Sequence, residues 1–216
     1  GTRDLTGFGC QSLPLAIGAA AALLQYVKDT QRAALPHLRG LRVELREDSI
    51  ILDAASRRNL ELDQSQSGRV EHSLAGVLDT TATAMGGRLL RRWLNRPLRS
   101  RVHLRRRHQC VETLQADRGY EAVHAMLCGL CDLERVLTRV ALKSARPRDL
   151  SGLRDSLARL PELQRVLAIH DDPLLREVAE RIGEHPQPQS LLQRALVEQP
   201  PVLIRDGGMI ATGYDA

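Results

Sequence analysis

The chain has 216 residues, 31 Lys+Arg against 26 Asp+Glu for a net charge of +5, and 43% hydrophobic residues, with only one Trp, three Tyr and one Phe. That composition excludes a disordered polyampholyte and a disulfide scaffold, because the apolar content is ordinary for a globular protein and the four Cys fall at irregular spacing. It also speaks against a membrane protein: the longest apolar stretch, Leu13 to Leu24, is too short to span a bilayer and contains Pro14.

No basic segment leading into an apolar one opens the chain, so a signal peptide is not expected and a reduced, cytoplasmic setting is. The core must be aliphatic, and the dominance of Leu, Ala, Arg and Gln favours helix before any pattern is considered. The positive excess is almost all Arg, since the only lysines are Lys28 and Lys143. It fits an acidic partner such as nucleic acid, and equally the codon usage of a GC-rich genome.

In chain order, Leu5 to Gly9 is short and Gly-broken, as at the end of a strand. A helix is expected from Pro14 to Ala34, closed by Pro36, with Ala19 to Ala22 suited to packing on a sheet. About 38 residues cannot bury a core of their own, so this stretch reads as an element of another domain. Leu41 to Arg46 alternates apolar and charged; Glu47-Asp48 turns the chain, and Ser49 to Leu52 returns as a second strand. Asp53 caps a short helix, Ala54 to Asn59, and Asp63 to His72 is polar enough to be a mobile loop.

From Ser73 to about Pro200 the pattern is helical throughout. Met85, Leu89, Leu90, Trp93 and Leu94 share a face that ends at Pro97, and Ser100 caps the following helix. Leu133, Val136, Leu137, Val140 and Ala141 follow helical spacing without a gap. Leu150, Leu153, Leu157 and Leu160 form a stripe behind Pro147; Asp172-Pro173 opens another helix, and Leu191, Leu192 and Leu196 mark the last. Val202 to Arg205 and Met209 to Ala211 read as two short strands around Gly207-Gly208.

Motifs for chemistry are sparse. Neither lysine sits in a Gly-x-x-x-x-Gly-Lys-Ser/Thr loop, so P-loop hydrolysis of ATP is not expected of these residues, and no dinucleotide fingerprint follows Gly7-Phe8-Gly9. Cys128-Gly129-Leu130-Cys131 is a CxxC without a second matching pair, and core packing is its expected role. The seven His show no ligand spacing, and no catalytic residue or metal ligand is assigned.

Nine arginines fall between Arg88 and Arg107. Arg88, Arg91 and Arg92 are the candidate phosphate contacts, because guanidinium grips phosphate oxygens bidentately. The plainer alternative, a solvated helical face paired with acidic residues or turned to another domain, is preferred, because the region offers only Trp93 for base stacking.

Several strings, taken in order, resemble the MutS family of DNA mismatch repair proteins. They are Arg3 to Gly9, Leu24 to Gln31, Leu52-Asp53-Ala54-Ala55-Ser56-Arg57-Arg58-Asn59-Leu60-Glu61-Leu62, Ser73 to Leu94, Asp132-Leu133-Glu134-Arg135, Ala145 to Leu150 and Pro201 to Gly208. The resemblance implies that residues 1–38 are the tail of a connector domain and 39–216 the first segment of a core (lever) domain, truncated before a DNA clamp. The implied fold is mainly α, a helical core with short β-hairpins near its start and end, preceded by a strand–helix remnant of an α/β domain.

It implies a part with no cofactor of its own, linking clamp and mismatch binding to a distant ATPase domain. ATP and Mg, mismatched duplex DNA, a MutL-type partner, homodimerisation and a nucleoid-associated, cytoplasmic setting would belong to the full-length protein. Asp53, Arg57, Arg58 and Asn59 are the candidate domain junction, against the plainer view of a capped helix with solvated arginines. The rival functions are a stand-alone basic helical DNA-binding module and an interaction scaffold outside repair.

Overall fold

A computed structural model describes residues 8–31, 40, 41, 43 and 48–214. The chain divides into two compact units, 1–48 and 49–216. In the first, a tight turn with Gly9 at φ +65° leads into α1, Pro14–Gln31, through hydrogen bonds from Leu13 N to Cys10 O and Ile17 N to Leu13 O. Pro14 sits at the helix start, where its missing N–H costs nothing. The Ala19–Ala22 run is largely exposed, and the expected strand at residues 5–7 and helix end at 32–34 lie outside the described residues.

In the second unit, nine α-helices follow among the described residues: α2 Ala54–Asn59, α3 Leu74–Leu78, α4 Ala84–Asn95, α5 Arg101–Ala116, α6 Gly119–Cys128, α7 Leu133–Ala141, α8 Pro147–Ala168, α9 Pro173–Ile182 and α10 Pro186–Ala195. Their starts follow from side-chain capping of the first free amides. Asp53, Ser73, Thr83, Ser100, Asp132 and Asp172 each accept from a backbone N–H one turn on. Asp172 is 1% exposed, and its Oδ1 takes both Leu174 N at 2.8 Å and Leu175 N at 2.9 Å, a charged acceptor buried because it is satisfied.

The centre is α8, which packs against α6, α7, α9 and α10, while α5 joins α6 and α9. Leu163 and Leu167 of α8 meet Leu175 and Ala179 of α9, with Leu114, Val123, Met126, Leu127 and Ile182 around them. The leucine stripe expected behind Pro147 thus continues past Pro161, which lies inside α8 and withdraws one backbone donor without ending the helix. Leu153 and Leu160 are buried as the stripe requires, whereas Leu89, Trp93 and Leu137 on the α4 and α7 stripes remain substantially exposed.

The first expected hairpin lies partly outside the described residues, and the second needs correction. The first arm, 41–46, falls mostly outside the described residues. The second arm, Ser49 to Leu52, makes one antiparallel bridge, Ser49 with Leu98, plus Ile50 N to Pro97 O at 2.8 Å. Asp53 ends the run by starting α2, and Pro97 offers no N–H to extend the ladder.

At the other end, Ile204–Asp206 is a 3-10 turn rather than a strand, and Gly207 and Gly208 lie at φ +69° and +67°. Met209 to Ala211 pairs instead with the exit of α10, through the Leu196–Ile210 bridge, Val197 N to Met209 O at 3.1 Å and Ala211 N to Ala195 O at 2.9 Å.

That closing segment is fastened to α8 by Arg154, whose residue is 6% exposed. Its Nη1 donates to Val197 O at 3.1 Å, its Nη2 to Glu198 O at 3.2 Å and its Nε to Asp155 Oδ1 at 2.8 Å. A buried guanidinium is tolerable when its fork of donors is used in this way.

Candidate functional site

The residues of the expected junction lie on α2 and at its cap. Asp53 Oδ1 accepts Ser56 N at 2.7 Å, and the same amide, first among the causes, holds the Asp53 carboxyl below its ordinary range. Arg57 folds back, its Nε donating to Leu52 O at 3.1 Å. Arg57, Arg58 and Asn59 are exposed.

The segment after α2 forms a closed loop. Leu74 N donates to Glu61 O at 2.8 Å and Ala75 N to Leu62 O at 2.9 Å, so the first amides of α3 bind the carbonyls that precede the loop. Ser73, fully buried, caps Gly76 N and donates its own hydroxyl to Val70 O at 2.6 Å. A Cβ on Gly76 would stand 2.1 Å from Val70 O, so only glycine allows this approach of helix and loop.

Within the loop, Ser65 N bonds Arg69 O at 3.0 Å, Gly68 N bonds Ser65 O at 2.9 Å, and Gln66 N bonds Glu61 Oε1 at 2.6 Å. Asp63 accepts from Asn95 Nδ2 at 2.8 and 3.1 Å, tying the loop to the end of α4.

Between α2 and this loop lies a cleft of about 470 Å³ lined by Arg57, Arg58, Asp63, Gln64, Ser65, Gln66 and Gly68. Among the described residues, Arg58 makes no ion pair and Arg57 uses only its Nε, so the wall carries guanidinium donors without protein acceptors. The loop residues of this wall do not stand out in the sequence, where Asp63 to His72 reads as a mobile loop. The available signal was the pair of Arg next to a Gln-Ser-Gln-Ser run, but adjacency in sequence does not reveal a concave surface.

The arginine-rich stretch is arranged differently. Arg88 grips Asp132 with two nitrogens, at 2.7 and 2.8 Å, and reaches Glu134 Oε2 at 2.6 Å. Asp132 is thereby held below its ordinary range, chiefly by the Arg88 hydrogen bonds, and Arg88 is pushed further up. Arg91 stands 3.1 Å from Asp79, whose carboxyl is lowered first by the Thr81 hydroxyl. Arg106 binds Glu177 at 2.7 Å, and Arg107 lies 3.6 Å above the Trp93 ring.

Two of the three candidate phosphate contacts are therefore engaged by carboxylates, and the stretch cross-links α4 to α7 and α5 to α9. Arg92, the third candidate, is exposed on α4, and its backbone O accepts Arg96 N at 3.0 Å. The acidic partners could have been suspected from Asp132-Leu133-Glu134.

Of the CxxC, Cys131 is half-buried beside Gly152, its N donating to Ser156 Oγ at 3.0 Å. Cys128 does not pack as expected: it is exposed on α6, its Sγ 3.5 Å from His124 Nδ1.

With this geometry in hand, two family matches bear on the chain. Residues 55–214 match the family described as MutS domain III, and residues 1–39 match MutS domain II.

Proposed function

Starting from a chain that belongs to the MutS family of DNA mismatch repair proteins, we propose that residues 39–216 act as a stiff relay. In this reading the helical body couples the nucleotide state of an ATPase domain, using ATP and Mg, to a DNA clamp that closes on mismatched duplex. It carries no reaction itself, and a MutL-type partner and a second protomer engage the larger protein.

The observation that supports this best is the use of charge inside the helical body. Arg88, Arg106 and Arg154 each join segments far apart in sequence, to Asp132, Glu177 and the carbonyls of Val197 and Glu198. Packed helices pinned in this way move as one body between discrete arrangements rather than bending continuously.

The α2 segment, with Asp53, Arg57, Arg58 and Asn59, is proposed as the place where this body meets a neighbouring domain. Its side chains are exposed, while its backbone is fixed by the Asp53 cap and the closed loop. In a MutS-family protein carrying clamp and ATPase domains, replacing Arg57 and Arg58 by Gln should uncouple ATP binding from clamp opening. The measurement is energy transfer between labels across the clamp. Clamp opening driven by ATP as in the parent protein would refute the junction.

A further inference from the structure

We propose that the cleft between α2 and the 63–68 loop receives a carboxylate carried by a polypeptide segment, with the Arg58 guanidinium as its principal donor and Arg57 beside it. The choice of polypeptide as carrier rests on the junction proposed above.

The wall has a surplus of donors. The Arg58 guanidinium has no partner among the described residues, the side-chain amides of Gln64 and Gln66 are uncommitted, and Arg57 keeps its terminal nitrogens. The acceptors nearby are partly engaged: Asp63 takes Asn95 Nδ2, Glu61 Oε1 takes Gln66 N, and Ser65 Oγ takes Arg69 N and shares a hydrogen bond with Ser67 Oγ. Water meets these exposed guanidinium groups in the free chain, and an anion entering the concavity would replace it with charge-assisted hydrogen bonds from several donors at once.

The same wall selects among acceptors. Asp63 lines the cleft as a carboxylate, so a dianionic phosphate placed there meets a like charge that a single carboxylate meets only half as strongly. The neutral amides of Gln64 and Gln66 suit the peptide groups flanking an acidic side chain. A cleft of about 470 Å³ has room for a few residues of an extended segment.

The site is also prepared in advance. Arg57 is held by Leu52 O and the loop by its own backbone bonds, so little ordering is needed on binding.

The test uses the whole 216-residue chain, amide chemical shifts, and a blocked oligoglutamate peptide as probe, with oligoglutamine and inorganic phosphate in parallel. The expected result is shifts centred on residues 57–58 and 64–68 with oligoglutamate alone. Arg58→Gln should weaken that binding about threefold to fivefold, the range for a partly solvated ion pair, and Arg58→Glu more strongly. A double Arg101→Gln, Arg105→Gln variant on α5 should leave it unchanged, and circular dichroism verifies that the variants fold.

Equal loss in the α5 variant, tighter binding of inorganic phosphate, or shifts spread over the basic surface would each overturn the proposal. Loss of peptide binding at the cleft with clamp coupling still sensitive to Arg57 and Arg58 would sink this inference alone. Intact peptide binding with insensitive coupling would sink the junction and leave the cleft's chemistry standing.

Discussion

Arg154→Met keeps the aliphatic stem of a buried side chain and removes its charge, and the cost can be worked out bond by bond. The Nε contact to Asp155 contributes least, because that carboxylate is 59% exposed and water replaces the lost donor; such half-solvated pairs are worth about 0–1 kcal/mol. The bonds to Val197 O and Glu198 O matter more, since no other hydrogen-bond donor to either carbonyl is seen among the described residues.

Hydrogen bonds to a charged donor are worth about 1.5–3 kcal/mol each, and at 3.1 and 3.2 Å, with Glu198 itself exposed, the lower half applies. Part is returned because a buried cation no longer needs desolvation. The sum is a loss of about 2–4 kcal/mol. Arg154→Lys, which can reach one carbonyl at a time, should lose roughly half as much.

Urea unfolding followed through Trp93, the only tryptophan, reports the helical unit as a whole. Amide exchange at Val197 and Ala211, the two donors of the closing ladder, reports the segment that Arg154 fastens. Parent values of both the urea midpoint and these two exchange rates in Arg154→Met would refute the fastening role of Arg154. A drop in midpoint with unchanged exchange would show that Arg154 serves α8 packing and not the fastening.

Three further substitutions probe other contacts. Gly76→Ala drives a methyl to 2.1 Å from a backbone carbonyl that is itself held by Ser73, and should cost about 3 kcal/mol or more in thermal unfolding. Gly18→Ala in α1, with nothing within 4 Å of the added carbon, should instead be neutral or stabilising by up to about 1 kcal/mol, and similar losses at both sites would contradict the steric account.

Asp132 has its carboxyl lowered in the fold by Arg88, so its contribution is present above the unfolded carboxylate range near about pH 4 and fades as pH falls through the lower folded value. Arg88→Gln should therefore lower the urea midpoint at neutral pH and less so in acid. A midpoint difference that stays constant down to about pH 2 would exclude the pair as its source.

Much of the architecture was legible because it rests on local rules. Asp53, Ser100, Pro147 and Asp172-Pro173 start helices through groups within one turn of themselves, and the leucine period behind Pro147 follows from burying one face of α8. The failures lie where partners are distant. Met209 to Ala211 carry strand-like residues, yet their pairing was decided by the α10 exit, which no alternation pattern encodes.

The same holds for the candidate site. Arg57 and Arg58 could be singled out as a charged pair on a short capped helix, but the cleft depends on Leu74 and Ala75 bonding back to Glu61 and Leu62. Likewise the partners of Arg88 lie more than forty residues downstream, so the preferred reading of a face paired with acidic residues could be made without fixing which carboxylates it meets.

The clasp of α3 onto Glu61 and Leu62 has a consequence for how this protein can vary. Because the two ends of the 63–72 stretch are joined through main-chain atoms, residues inserted at its tip, between Gln64 and Gly68, need not displace the neighbouring helices. Chain closure grows only slowly with length, about 0.6 kcal/mol per doubling. The closure therefore permits changes of size and chemistry in the cleft's outer wall while the frame is kept.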